Sequence, residues 1–405
     1  MNSSLLDVTS REFTQNPYPA LAEMRESAPL IYDEPSNLWM VTRHKDVKAC
    51  LRDRRLGRVY DHVTTGDEIG ATPRDPRWSS FWKVEQHSLL ELEPPEHTRL
   101  RQLVSKAFTV RAVEAMREPS QETARLILDV LLEQNDIDLL ADFAQPYSVA
   151  IICRLLGVPF EDHKDLLDWS HRMVKMYELN TTDDQARRAA DAAGLFDRYV
   201  RGLIHFHRDK PRGGLIGDLV HAEVDGEQLT DEEIVSTTIV LLNAGHEAVV
   251  NTFGNGITAF LTHRDEWHRV VDGWVAPQIA IEEMVRWDAP LQLFERWVLE
   301  DDVEIADTTL AFGDKIGMLF GSANRDPRAF DDPDAFHARR HAANHVGFGG
   351  GTHHCLGAPL ARIELAEGLA TLAKTAPEME LRSDPVRHHT FTIHGYESVP
   401  IRLRP

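Results

Sequence analysis

Apolar residues recur at helical spacing through the middle of the chain and alternate at strand spacing only towards its two ends. Near the start, Leu30-Ile31-Tyr32 and Leu38-Trp39-Met40-Val41-Thr42 flank Asp33-Glu34-Pro35-Ser36-Asn37, which predicts a hairpin. Helical patterns run from about Pro95 to Val285. A strand-and-loop region is predicted between about Trp297 and Phe320, and a last extended stretch from His389 to Leu403. The predicted class is mostly α with small β-sheets.

One predicted helix is much longer than the rest. Thr230-Asp231-Glu232-Glu233 matches a capping box, with Thr230 as N-cap and Glu233 reaching back to it. Apolar residues follow from Ile234 to Leu261, so the helix extends to about His263, on the order of 50 Å at 1.5 Å per residue. A membrane span is the bland alternative. Asn243, His246, Glu247, Asn251 and Asn255 lie in its middle, where charge and amides are costly in lipid. The segment therefore reads as a long central helix rather than a span.

Composition narrows the function classes. The 405 residues are 42% hydrophobic and 27% charged, a globular mix that excludes a disordered or fibrous protein. Length alone allows two or three domains at roughly 150 residues each. The net charge of −21 argues against a nucleic-acid partner or an anionic membrane, both of which need clustered cations. Met1 to Ser10 lack the basic start and apolar core of a secretory leader. The three cysteines, Cys50, Cys153 and Cys355, are too few for a disulfide framework, and a reducing cytoplasm is expected.

The richest segment is Phe348-Gly349-Gly350-Gly351-Thr352-His353-His354-Cys355-Leu356-Gly357-Ala358-Pro359. Its glycines permit unusual backbone angles and close approach to a flat ligand. Pro359 marks a helix starting just past the cysteine, and free N–H groups at a helix start favour thiolate. A rigidly held thiolate suits an axial ligand to haem iron. Two alternatives stay open on these residues alone: a zinc cluster of His341, His345, His353, His354 and Cys355, and a purely structural turn. A phosphate loop is a poor match, because no Gly-Lys-Ser/Thr ending follows.

The same segment resembles the haem-binding signature of the cytochromes P-450, Phe-Gly-x-Gly-x-His/Arg-x-Cys-x-Gly, with every fixed position filled. Other stretches resemble the family too. Glu283-Met284-Val285-Arg286 is similar to its Glu-x-x-Arg motif, which implies a buried network of Glu283, Arg286 and Arg340, with Arg339 as the alternative third member. Glu93-Pro94-Pro95-Glu96-His97-Thr98-Arg99-Leu100-Arg101 is similar to the start of its propionate-binding helix, where His97 and Arg101 share a face at i,i+4. The resemblance implies haem b ligated by Cys355, with propionates on His97, Arg101, Arg296 and His353. Phe348, Gly349, Gly351, Ala244 and Gly245 are implied around it, and Arg99 is expected to point elsewhere.

Leu241-Leu242-Asn243-Ala244-Gly245-His246-Glu247-Ala248-Val249 resembles the oxygen-binding stretch of the family's central helix, with Glu247 at the acidic position. Ala248 stands where the family usually has Thr, so the hydroxyl that helps deliver protons for O–O cleavage is missing. Ordered water near Glu247, or a hydroxyl on the substrate, is the expected replacement. Further likeness at Asn16-Pro17-Tyr18, Trp39-Met40-Val41-Thr42 and Asn324-Arg325-Asp326-Pro327 extends the resemblance over nearly the whole chain. It implies one domain, 1–405, with a short tail of about 1–15. It also implies a monooxygenase that takes O2 and electrons from a separate ferredoxin or flavodoxin with its reductase. The alternatives are a peroxide-driven peroxygenase and a haem carrier without turnover. By position in the family, Val240, Asn243, Ala244, Leu291, Gln292, Thr392 and Ile393 line the substrate pocket, and residues 61–90 and 177–188 form its access region.

Overall fold

Thr230 starts the central helix as its sequence requires: its backbone N–H donates to Glu233 Oε2 at 2.9 Å, and Glu233 N–H donates to Thr230 Oγ1 at 3.2 Å. The helix runs Asp231–Thr262, 32 residues, and most of its side chains are buried. This architecture is seen in a computed structural model that describes residues 6–210, 213–224 and 226–404. Around the central helix pack the helices Gln145–Leu156, Asp183–Asp209, Pro277–Trp287 and Ala358–Thr375, which together enclose the main hydrophobic core. An apolar helix hides its surface best by being surrounded.

The predicted hairpin is present as antiparallel strands Leu30–Asp33 and Leu38–Val41. The second strand pairs in parallel with Lys315–Leu319, which pairs antiparallel with Leu293–Val298, and Leu56–Gly57 closes the far edge. The second strand region thus begins at Leu293, a few residues before the predicted Trp297. The C-terminal stretch gives short strands Tyr396–Ser398 and Pro400–Arg402.

Three segments carry more regular structure than their sequence suggests. Part of the proposed tail 1–15 lies outside the described residues, but the rest is packed: Arg11–Gln15 is helical, and Leu6 and Phe13 are buried beside Leu21 and Phe391. Residues 61–90, assigned to the access region, contain the helix Ser79–Glu85, which buries Phe81, Val84 and Glu85. Residues 177–188 include the capped start of Asp183–Asp209, a helix made by the Thr182–Gln185 capping box. Scattered polar residues masked both helices because each buries only one face.

Glu85 gives a pH test of this packing. Tyr177 donates its hydroxyl to Glu85 Oε1 at 3.1 Å, and burial, aided by the charge of Glu91, pushes the carboxyl up to about 8. The folded state therefore holds a proton that the unfolded chain releases near 4.5. Stability from this group is full below the unfolded value and falls as pH rises towards 8. Glu85→Gln mimics the protonated form. Urea unfolding is expected to show it more stable than the parent at pH 8, by about 4 kcal/mol, with the difference vanishing by pH 4.5.

Among the described residues one helical stretch, Leu139–Leu156, is long and apolar enough to cross a membrane, and 67% of it is buried inside the protein.

Candidate active site

The loop carrying Cys355 is fixed by its own backbone. Cys355 N–H donates to Phe348 O at 3.0 Å, Gly349 N–H to Val346 O at 2.8 Å, and His354 N–H to Gly351 O at 3.1 Å. Gly349 and Gly351 have φ of 67° and 63°, a region that side chains disfavour. Gly351 has a second reason to be glycine: a Cβ there would collide with Leu51 O. The end of the helix His44–Cys50 is pressed against the loop at this point. Phe348 is held from the other side by the Arg362 guanidinium, 4.4 Å from its ring centre, and Arg362 is anchored by Glu282 at 2.6 Å.

The helix Ala358–Thr375 begins three residues after Cys355. The protein packed around the loop pushes the thiol up although its sulfur stays accessible; the backbone of Gly357 and Ala358 at the helix start, then Arg101 and Arg362, pull the other way and favour thiolate. Cys355 is the exposed cysteine, whereas Cys50 and Cys153 are buried with thiols pushed up to about 12 and act as core. The zinc alternative finds no support in the geometry: His345 pairs with Glu282 at 3.0 Å and His353 with Glu93 at 3.1 Å, so these side chains do not converge on Cys355.

A cluster of donors lies beside the loop. His97 is 1% exposed, and its ring centre lies 4.6 Å from that of His353. Arg296 is 3% exposed. Glu93 sits between them, 3.1 Å from His353 Nε2 and 3.4 Å from Arg296 Nη1. Even so, His97 Nε2, Arg296 Nε and Nη2, and His353 Nδ1 are buried without a partner. Burial drives His97 down to about 4 and Arg296 down to about 10, the response of crowded cations with too little anion around them. Orphaned buried donors of this kind fit carboxylates of a bound group. Arg101 is placed differently from the expectation: it donates to Thr352 O at 3.3 Å and His354 O at 2.7 Å, bracing the loop. Arg99 does point elsewhere, pairing with Glu233 at the start of the central helix.

Behind the loop, Arg286 donates to both oxygens of Glu283 at 2.6 and 2.8 Å, and both residues are 0% exposed. Arg340 Nε reaches Glu283 at 3.2 Å, while Arg339 is exposed. Arg286 also donates to the carbonyls of Asn324 and Pro333.

In the middle of the otherwise buried central helix, Ala244 and Ala248 are exposed, one turn apart on one face. Gly245 does not share that face. Its missing side chain makes room for Ile152 of the neighbouring helix, 3.2 Å from where a Cβ would stand, because consecutive residues diverge by about 100°. Thr252 donates its hydroxyl to Ala248 O at 2.7 Å, so that hydroxyl is already occupied. Glu247 Oε1 lies 3.3 Å from His171 Nε2 on the helix His163–Met173, and burial raises its carboxyl against the pull of His171 and Lys175.

The two polar residues expected in the pocket are turned into the protein. Gln292 is fully buried and donates to Tyr18 Oη at 3.1 Å and Ala289 O at 2.8 Å, as the close approach of Gly321 requires. Asn243 is 2% exposed and its amide faces Met173 Sδ at 3.9 Å. Leu291 and Ile393 are bridged across the chain, and Val240 and Thr392 are nearly buried. Three residues that sequence reasoning missed hold this region. Glu178 accepts the N–H groups of Phe391, Thr392 and Ile393; Asp288 accepts from Tyr18 at 2.6 Å and Arg387 at 2.6 Å; and His171 meets Glu247. Glu93 was also overlooked, though it opens the motif that contains His97.

A cysteine on a glycine-shaped loop at a helix start, with orphaned buried donors alongside, defines a haem-thiolate site. The comparisons narrow this further. A family model described as cytochrome P-450 matches residues 60–271 and 278–375. The chain is 34% identical to the polyketide biosynthesis cytochrome P-450 PksS of Bacillus subtilis (strain 168), covering 97% of each chain. It is 32% identical to the vitamin D(3) 25-hydroxylase of Pseudonocardia autotrophica, covering 98% of this chain and 96% of that one. The solved P-450 BioI, in complex with acyl carrier protein ligated to hexadec-9Z-enoic acid, matches with a TM-score of 0.90 at 29% identity, over 97% of this chain and 99% of that one. The chain belongs to the cytochrome P-450 family, and it is a haem-dependent monooxygenase.

Proposed function

We propose that the enzyme oxygenates a largely apolar organic substrate at a haem b ligated by Cys355, using electrons from a separate ferredoxin or flavodoxin. The observation that carries the cofactor reading is the set of orphaned buried donors on His97, Arg296 and His353 beside the cysteine loop. These would hold the propionates in place of Glu93, while Arg101 and Arg362 stiffen the loop. When bound, the haem supplies the iron at which O2 is activated and one oxygen atom is passed to the substrate. The chain positions that group: the exposed face at Ala244 and Ala248 offers a flat wall with no bulk, and Val240, Leu291, Thr392 and Ile393 furnish the substrate side. With Asn243 and Gln292 turned inward, the remaining lining is mainly apolar. The relatives' names, a polyketide-biosynthesis enzyme, a vitamin D(3) 25-hydroxylase and a protein bound to a fatty-acid-ligated acyl carrier protein, agree with that chemistry. The chain is read as one domain, because the five-stranded sheet joins residues 30–57 to 293–319. A cytoplasmic site agrees with cysteines kept as core thiols.

Protons are supplied without the usual Thr hydroxyl. Glu247, its carboxyl raised by burial, is placed at the central helix to take up and pass on a proton, and His171 connects it to a partly exposed surface. If this route is sufficient, Ala248→Thr raises the fraction of electrons ending in product by less than about twofold. A large rise means that nothing had replaced the hydroxyl. The same assay, run with reductase, ferredoxin and NAD(P)H or with hydrogen peroxide alone, is expected to give product only with the electron donors. Product from peroxide at an equal rate makes the protein a peroxygenase.

A further inference from the structure

His171, His246 and Glu247 form the one group of three metal-ligating side chains found close together among the described residues. One donor atom from each lies within 4.8 Å of the others. The three come from two packed helices, His171 from His163–Met173 and the other two from the central helix. His246 is 0% exposed, yet neither ring nitrogen has a hydrogen-bond partner. A buried imidazole left unpaired on both sides is costly, and it needs a reason. Its ring centre is 5.7 Å from that of His171, and Glu247 Oε1 is 3.3 Å from His171 Nε2. That same Glu247 oxygen has no hydrogen-bond partner beyond this contact with His171.

We propose that His171, His246 and Glu247 bind a divalent transition cation of the zinc type, with a water in the fourth position. Two imidazoles and a carboxylate suit zinc, whose donors stand about 2.0–2.2 Å from the ion. Donors around a tetrahedral ion at that distance stand about 3.3–3.6 Å apart, so the widest pair must close by up to about 1.5 Å. His171, with 42% of its side chain exposed, is the member free to move. Its exposure also gives the ion an entry path from solvent, while His246 supplies the buried end.

Zinc here withdraws the Glu247 carboxylate from proton transfer, so the ion is an inhibitor rather than a cofactor. That consequence rests on the role given to Glu247 above; the binding itself does not. Equilibrium dialysis of the haem-loaded protein against zinc is expected to give one tight ion per chain. His171→Asn and, independently, His246→Asn are each expected to weaken it about a hundredfold or more, with helical circular dichroism retained in His171→Asn. No binding tighter than about 1 mM in the parent overturns the proposal. So does zinc held equally by parent and His171→Asn, which would place it on surface histidines. Loss of oxygenation in His171→Asn without any zinc binding in the parent supports the proton route alone.

Discussion

Cys355→Ala is expected to abolish the thiolate-type Soret band of the reduced carbon monoxide complex and to bring oxygenation to background, with the fold preserved. The sulfur is the only atom lost, and it is small and exposed. The loop around it is held by Phe348 O, by the Arg101 contacts to Thr352 and His354, and by Arg362 on Phe348. None of these uses the thiol, so the cost in stability is expected to stay below about 2 kcal/mol. The chemistry, in contrast, depends on it, because thiolate donation to iron favours O–O cleavage. Difference spectra of parent and variant at equal haem content decide the matter. A thiolate-type band that survives in Cys355→Ala removes this cysteine as the ligand and reopens the site.

Glu283→Ala is the substitution expected to damage the fold most. It strips the carboxylate from an Arg286 that is 0% exposed, leaving a buried guanidinium with three carbonyl acceptors and no counter-charge. Removing one member of a buried ion pair costs about 3–5 kcal/mol. Glu283 also accepts His337 N–H at 2.9 Å and Arg340 Nε at 3.2 Å, so the segment leading into the cysteine loop loosens as well. Urea unfolding of the haem-loaded protein is expected to show that loss, with weaker haem retention. Glu283→Leu combined with Arg286→Met leaves no buried charge and is expected to cost less than Glu283→Ala alone. A loss below about 1 kcal/mol for Glu283→Ala means that the pair is hydrated.

What could be read from the sequence was local. The Thr230–Glu233 box, the i,i+3 pair Glu283–Arg286 and the glycines around Cys355 each sit within a few residues, and each is found in the structure where its spacing puts it. Gln292 and Asn243 misled because a polar side chain near a pocket has two directions to face, and only tertiary partners choose between them. Tyr18 and Met173 made that choice from far along the chain. Glu93, Glu178 and His171 were invisible for the same reason: the partners of each lie dozens to hundreds of residues away. Gly245 shows a subtler limit. Its lack of bulk was legible, but not which neighbour used the space, and that neighbour is Ile152.

The five-stranded sheet also sets a timetable for synthesis. Trp39 to Val41 pair in parallel with Ile316 to Met318, so the hairpin made first has no neighbour on that side until most of the chain exists. At roughly 5–20 residues per second, that edge waits about 15–55 s on the ribosome. Gly351 seats against Leu51 across a similar span. The helical middle can collapse as it emerges, whereas the cradle for the cysteine is completed only when the two ends of the chain meet.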